Sequence, residues 1–151
     1  MASQAADSSE TLEVRRTIRA PREKVFNAWT NPEEIKRWHA PGPAKVLLAE
    51  IDCRVGGAYR IHMLTPDGVE HRAVGVYKEI EKPSRLVYTW SWENKETVKN
   101  SVVTIEFLDR DGSTEIVLRH DGLPNATERT GHGQGWAAIL EKYANAVNGP
   151  Q

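Results

Sequence analysis

The sequence predicts an α+β domain in which one long C-terminal helix covers the open face of an antiparallel sheet. Three observations carry that expectation. From Ala44 to Asp121 the chain reads as strand-like runs separated by turn signals: Gly56-Gly57, Pro66-Asp67-Gly68, Lys82-Pro83-Ser84 and Asp111-Gly112. The last stretch, "RTGHGQGWAAILEKYANAV", instead carries its apolar side chains at helical spacing. A length of 151 residues suits one domain with a real core.

Residues 1–10, "MASQAADSSE", have neither a basic start nor an apolar segment, so they read as a disordered polar lead-in and not as a signal peptide. "TLEVRRTIRA" then places Leu12, Val14, Arg16 and Ile18 on one face of a first strand. Pro21 opens a short helix, "PREKVFNAWT", with Val25, Phe26 and Trp29 at helical spacing. Asn31-Pro32 breaks it, and "PEEIKRWH" starts a second short helix carrying Ile35 and Trp38, ended by "APGP". The run "EEIKR" is a solvated helix face. About six further strands follow before the final helix, and Asp52 and Arg54 in "DCRVGG" organise one of the turns between them.

Two of those turns fix which residues stand opposite each other. Pro66 holds φ near −65° in "TPDGV", which excludes a primed two-residue turn. A type I turn with Gly68 left-handed pairs Thr65 with Val69, so Met63 faces His71 and Ile61 faces Ala73. Tyr59, Ile61, Met63, His71 and Ala73 then share one face. In "DRDGST", Asp111-Gly112 suits a type I′ turn, which sets Phe107 opposite Ile116, Ile105 opposite Leu118 and Val103 opposite His120. Both His71 and His120 thereby fall on the apolar side of the sheet. Trp90 alternates with Leu86, Tyr88 and Trp92, giving that strand a continuous aromatic face.

The final helix begins with a capping pattern, Asn125 followed three residues later by Glu128. Trp136, Leu140, Tyr143 and Val147 form its apolar stripe, with Ile139 beside them and His132 one turn before Trp136. Gly131, Gly133 and Gly135 weaken this start by roughly 1 kcal/mol each relative to Ala. A single Trp hiding ~200 Å² offsets that with up to about 5 kcal/mol. The missing side chains either let the helix approach the sheet or leave a hollow beside His132.

Composition excludes several classes. Twenty Lys and Arg against twenty-one Asp and Glu give a net charge of −1, without the basic excess of a nucleic-acid binder. No apolar run is long enough to span a bilayer. The single cysteine, Cys53, allows no internal disulfide and suits a reducing cytoplasm; it reads as a small buried hydrophobe more readily than as a reactive thiol. No G-x-S-x-G elbow, H-E-x-x-H helix or phosphate-binding Gly-Lys loop occurs. His71, His120 and His132 could converge, yet they lack the short spacings of a zinc site, so neither metal nor cofactor is expected.

Four stretches together resemble a known family: "TIRAPREKVFNAWTNPEEIKRWHAP", "EIDCRVGGAYRIHM", "KPSRLVYTW" and "HGQGWAAILEKYA". They are similar to the START-like (SRPBCC) superfamily, in the branch of stand-alone domains related to the C-terminal part of heat-shock ATPase activators. The resemblance covers residues 11–147 in order and leaves 148–151 as a tail. It implies a helix-grip fold, in which a curved antiparallel sheet of about six or seven strands wraps the long C-terminal helix around an apolar cavity. Superfamily members bind lipids, sterols, polyketides or other small hydrophobic molecules, and some are cyclases or dehydratases.

On that basis Trp38, Tyr59, Met63, His71, Trp90, Trp92, His120, His132 and Trp136 are the candidate wall of a cavity. The leading expectation is binding of a small aromatic or acyl molecule. The alternative is a cyclase, dehydratase or hydrolase using His71, His120 or His132 for acid–base work. Each histidine taken alone fits a satisfied core or rim residue better than a functional one. A third reading is a co-chaperone-like domain with a heat-shock ATPase as partner, ranked last because the full-length activators carry an N-terminal domain that ten polar residues do not supply. A homodimer is compatible with the pattern but nothing in it requires one.

Overall fold

The computed structural model describes residues 11–148; the lead-in expected at 1–10 and the tail beyond Asn148 lie outside the described residues. In chain order the elements are β1 (Leu12–Ile18), α1 (Arg22–Thr30), α2 (Pro32–Trp38), β2 (Lys45–Ile51), β3 (Ala58–Leu64), β4 (Glu70–Glu81), β5 (Arg85–Trp92), β6 (Ser101–Arg110), β7 (Ser113–Asp121) and α3 (Ala126–Asn148). The strands form one seven-stranded antiparallel sheet in the order β1-β7-β6-β5-β4-β3-β2.

Both turn-derived registers hold. Met63 pairs with His71 and Ile61 with Ala73 across β3–β4. Val103 pairs with His120, Ile105 with Leu118 and Phe107 with Ile116 across β6–β7. Gly68 has φ +88°, and Asp111 and Gly112 have φ +56° and +92°, as those turns demand.

The sheet is curled into a half-barrel, and specific irregularities bend it. Register shifts interrupt β2 between Val46 and Leu48 and β4 between Tyr77 and Glu79. Between the pairs Val74↔Ser91 and Tyr77↔Tyr88 the regular ladder lapses. There Gly75 approaches β5 so closely that a Cβ would stand 2.0 Å from the Thr89 carbonyl oxygen. That carbonyl accepts a hydrogen bond from the Tyr59 hydroxyl at 2.6 Å, while the Val76 N–H donates to Thr89 Oγ1 at 2.9 Å. Only glycine fits this crossing.

The two faces of the sheet divide by charge. Along the convex face an ion-pair ladder runs Arg15–Glu13–Arg119–Glu106–Arg85–Glu79, with contacts of 2.8–3.5 Å. These exposed pairs add little stability individually but keep the outer surface neutral and hydrated. The concave face holds the core, with α3 lying in the curl and α1 and α2 closing one end. Asn31 caps α2 by accepting the Glu33 N–H at 2.9 Å, and Pro32 occupies its first turn.

One expectation is corrected here. Cys53 is exposed, not buried, because it lies in the β2–β3 turn beside the Asp52–Arg54 pair, whose 2.9 Å contact holds that turn as expected.

Candidate functional site

The helix that borders the site is held at its start by its cap: Asn125 Oδ1 accepts the Glu128 N–H at 2.9 Å. Its stripe of Trp136, Ile139, Leu140, Tyr143 and Val147 is buried against the sheet. The three glycines divide between the two roles a missing side chain can play. A Cβ on Gly133 would meet Leu12 Cδ1 at 3.1 Å, so this glycine lets β1 approach α3. A Cβ on Gly131 or Gly135 would meet nothing within 4 Å. Both of those line a cavity.

The cavity, about 370 Å³, lies between the first half of α3 and strands β3, β4 and β5. Met63, His71, Trp90 and Trp92 form its sheet side, and His132, Trp136 and Ile139 its helix side. Pro41 and Ala44 from the α2–β2 connection and Lys95 and Thr97 from the β5–β6 loop complete the wall, with Glu128 on the first turn of α3. Thr97 and Gly131 are exposed and mark the mouth.

Six of the nine expected wall residues therefore stand together: Met63, His71, Trp90, Trp92, His132 and Trp136. Trp38, Tyr59 and His120 do not reach the cavity. Trp38 is packed between Trp29 and Tyr143, with ring centroids 4.6 and 4.5 Å away, and donates its indole N–H to the Ala28 carbonyl at 3.1 Å. Tyr59 lies two positions before Ile61 on β3, nearer the closed end, among Tyr77 and Tyr88. His120 sits directly behind the wall, fully buried.

His120 is fixed by a chain of hydrogen bonds. The Trp136 indole N–H donates to its Nδ1 at 3.0 Å, so its own proton is on Nε2, which donates to Ser101 Oγ at 2.8 Å. The Ser101 hydroxyl in turn donates to the Trp90 carbonyl at 2.6 Å. Burial, with His132 nearby, pushes the imidazole down to about 3. A neutral ring with both nitrogens occupied positions Trp136 and cannot exchange protons with a ligand. The acid–base role expected of it is corrected.

His132 is arranged differently. Its Nδ1 donates to the Glu128 carbonyl at 2.9 Å, with the Glu128 carboxylate 3.6 Å away, which leaves Nε2 without a partner. Burial lowers its pKa. The Trp90 indole nitrogen is the other buried polar atom without a partner among the wall residues. His71 lies across Trp92 from His132, its Nδ1 hydrogen-bonded to Lys95 Nζ, and both burial and that ammonium lower its pKa. Lys95 also covers the Trp92 ring, 5.0 Å from its centroid. No group of three or more His, Cys, Asp or Glu side chains among the described residues could hold a metal ion.

Sequence reasoning missed Lys95, Thr97 and Glu128 on the wall, and His39 behind it. His39 is buried between Trp38 and Trp90, 5.1 and 6.1 Å between centroids, and burial pushes it down to about 4. Its place directly after Trp38, at the end of a helix closed by proline, was the available hint. Lys95 had only a weak one, three residues beyond Trp92 in a loop without periodicity.

Comparison with known proteins agrees with this architecture. A family model described as "Activator of Hsp90 ATPase homolog 1-like protein" matches residues 19–148. No curated protein matches. Among solved structures, a Chromobacterium violaceum protein superposes with a TM-score of 0.86 at 26% identity, covering 95% of this chain and 99% of its own. A Rhizobium leguminosarum protein gives 0.78 at 28% identity, with 91% and 93% covered. An AHSA1-like protein from Aeromonas hydrophila gives 0.76 at 23% identity, with 91% of each chain covered. No described helix is long and apolar enough to cross a membrane.

Proposed function

This chain belongs to the family of Activator of Hsp90 ATPase homolog 1-like proteins, and from that premise we propose that it binds a small hydrophobic molecule, aromatic or acyl, in the hollow between α3 and the sheet. The carrying observation is that Gly131 and Gly135 leave open space facing an aromatic wall. Helix stability is given up there and nothing packs into the gap. A volume of about 370 Å³ is in the range of small-molecule sites. Removing ~250 Å² of apolar surface from water yields on the order of 6 kcal/mol, which sets an upper limit on affinity of roughly 40 μM before association costs.

The test is a titration with the neutral two-ring fluorophore 2-naphthol. Saturable one-to-one binding that Gly135→Leu abolishes supports the reading. Absence of binding, or binding unaffected by that substitution, contradicts it.

The unpartnered Nε2 of His132 favours a second reading, acid–base chemistry on the bound molecule. Its Nδ1–H is committed to the Glu128 carbonyl, so Nε2 is the ring atom left to take a proton, and because that atom is closed off from water a bound molecule reaches it only once the imidazole turns toward the hollow. Of the three histidines considered, His132→Gln then abolishes turnover of a substrate and His120→Gln does so only by disturbing Trp136. Unchanged turnover in His132→Gln removes this reading.

A further inference from the structure

Nearly all the close ion pairs of this molecule lie on its outer surface, yet one amine is built into the wall of the cavity. Lys95 is half-buried, and its contacts are a neutral imidazole and an indole ring. Among the described residues no carboxylate lies within ion-pair distance of it. An ammonium has three N–H donors, of which His71 Nδ1 takes one. Because Nδ1 is occupied, the neutral His71 ring carries its own proton on Nε2, a further donor on the same wall. Burial lowers the pKa of Lys95, and the Glu128 carboxylate, acting from beyond ion-pair range, offsets only part of that.

We propose that the bound molecule is an aromatic carboxylic acid, its ring system against Trp90, Trp92 and Trp136 and its carboxylate received by Lys95 beside His71. The assignment rests on the cavity-binding reading above. A hollow of about 370 Å³ lies at the small end of the range of ligand pockets, which suits a one- or two-ring acid. The carboxylate supplies the counterion that Lys95 lacks, and the charge-assisted bond strengthens where water is excluded.

Two groups on α3 face this site. Glu128 is drawn toward the Nδ1 edge of His132, 3.6 Å away, and stands outside ion-pair range of Lys95. Its charge opposes an anion, so the carboxylate sits on the strand side of the mouth. His132 is held low in pKa by burial and adds no positive charge at neutral pH. Asp67, in the β3–β4 turn, acts on His71 from outside and partly offsets the effect of Lys95 on that ring.

The experiment compares 2-naphthylacetate with the neutral 2-naphthylacetamide, read by quenching of tryptophan fluorescence at pH 7 and low salt. Wild type binds the acid about tenfold or more tightly than the amide. Lys95→Met removes the preference by weakening the acid far more than the amide, and an unchanged circular-dichroism spectrum shows that the fold is intact. Lys95→Arg keeps a preference, and Glu128→Gln increases it. Equal binding of acid and amide by wild type, or a preference that survives Lys95→Met, overturns the carboxylate assignment and leaves apolar binding standing. Binding of neither these probes nor the neutral fluorophore overturns both.

Discussion

The two halves of the concave interior are built from the same kinds of residue and end in opposite states. At the closed end Trp29, Trp38, Tyr143 and Phe107 interlock, with Trp29 within 4.6–6.4 Å of the other three ring centroids. At the open end Trp90, Trp92 and Trp136 are as close to each other, with Trp90 5.3 and 5.0 Å from its neighbours, yet they border a hollow. The difference is what faces the rings. The closed end receives α1, α2 and the leucine- and tyrosine-bearing half of α3. The open end receives the glycine-bearing half. Aromatic content therefore does not distinguish core from binding site; the absent side chains opposite it do.

Substitutions test that contrast in descending order of effect. Trp38→Ala removes a fully buried indole and its hydrogen bond, and lowers unfolding free energy by about 3–5 kcal/mol in urea titrations. An indole that lines the cavity loses less, since part of its surface faces no neighbour; Trp92→Ala costs roughly half as much, about 2 kcal/mol. Equal losses at the two positions would erase the distinction.

The next effect is pH dependence. His39 and His120 have folded values of about 4 and about 3, below the ordinary 6.5 of the unfolded chain. Between those values the unfolded state binds more protons than the folded state. Stability from these neutral rings is complete above pH 6.5 and falls as pH drops, by about 1.4 kcal/mol per pH unit for each ring below pH 6. His120→Gln flattens the slope of unfolding free energy between pH 6 and 4.5, measured against wild type. An unchanged slope would show that the buried ring is not the source.

A smaller and opposite effect is expected at the glycines. Gly135→Ala adds a Cβ into open space and raises stability by up to about 1 kcal/mol through helix propensity. Gly133→Ala is close to neutral, because the same gain is set against a 3.1 Å approach to Leu12. Thermal unfolding distinguishes them. At the far end of the scale, Arg119→Ala cuts the outer ladder and changes stability by less than about 1 kcal/mol, with the loss fading in high salt.

Much of this arrangement was readable in the chain because turn chemistry is local. Pro66 and Gly68 in one hairpin and Asp111-Gly112 in the other fix register without knowledge of the rest, and so placed His71 and His120 on the inner face. The spacing of Trp136, Leu140, Tyr143 and Val147 likewise fixed the buried face of α3. What the chain does not announce is position along the curl. Tyr59 and Met63 alternate identically on β3, but only Met63 lies far enough from the closed end to touch the cavity. Trp38 and Trp136 are equally apolar, and their separation depends on where α2 docks. Lys95 joins the wall through a loop whose path no periodicity describes. The cavity was expected from a family resemblance, and its six shared residues from strand alternation and turn register for Met63, His71, Trp90 and Trp92 and from helical spacing for His132 and Trp136; its charge came from tertiary structure alone.

The contrast between the two ends can be read in one spectrum. The protein has five tryptophans, two at the closed end and three at the open one, each with an indole N–H signal in a ¹H–¹⁵N correlation experiment. Titration with 2-naphthylacetamide should shift the indole signals of Trp90, Trp92 and Trp136 to saturation while those of Trp29 and Trp38 stay in place. Five unmoved signals, or movement centred on Trp29 and Trp38, would contradict the assignment of the hollow as the site.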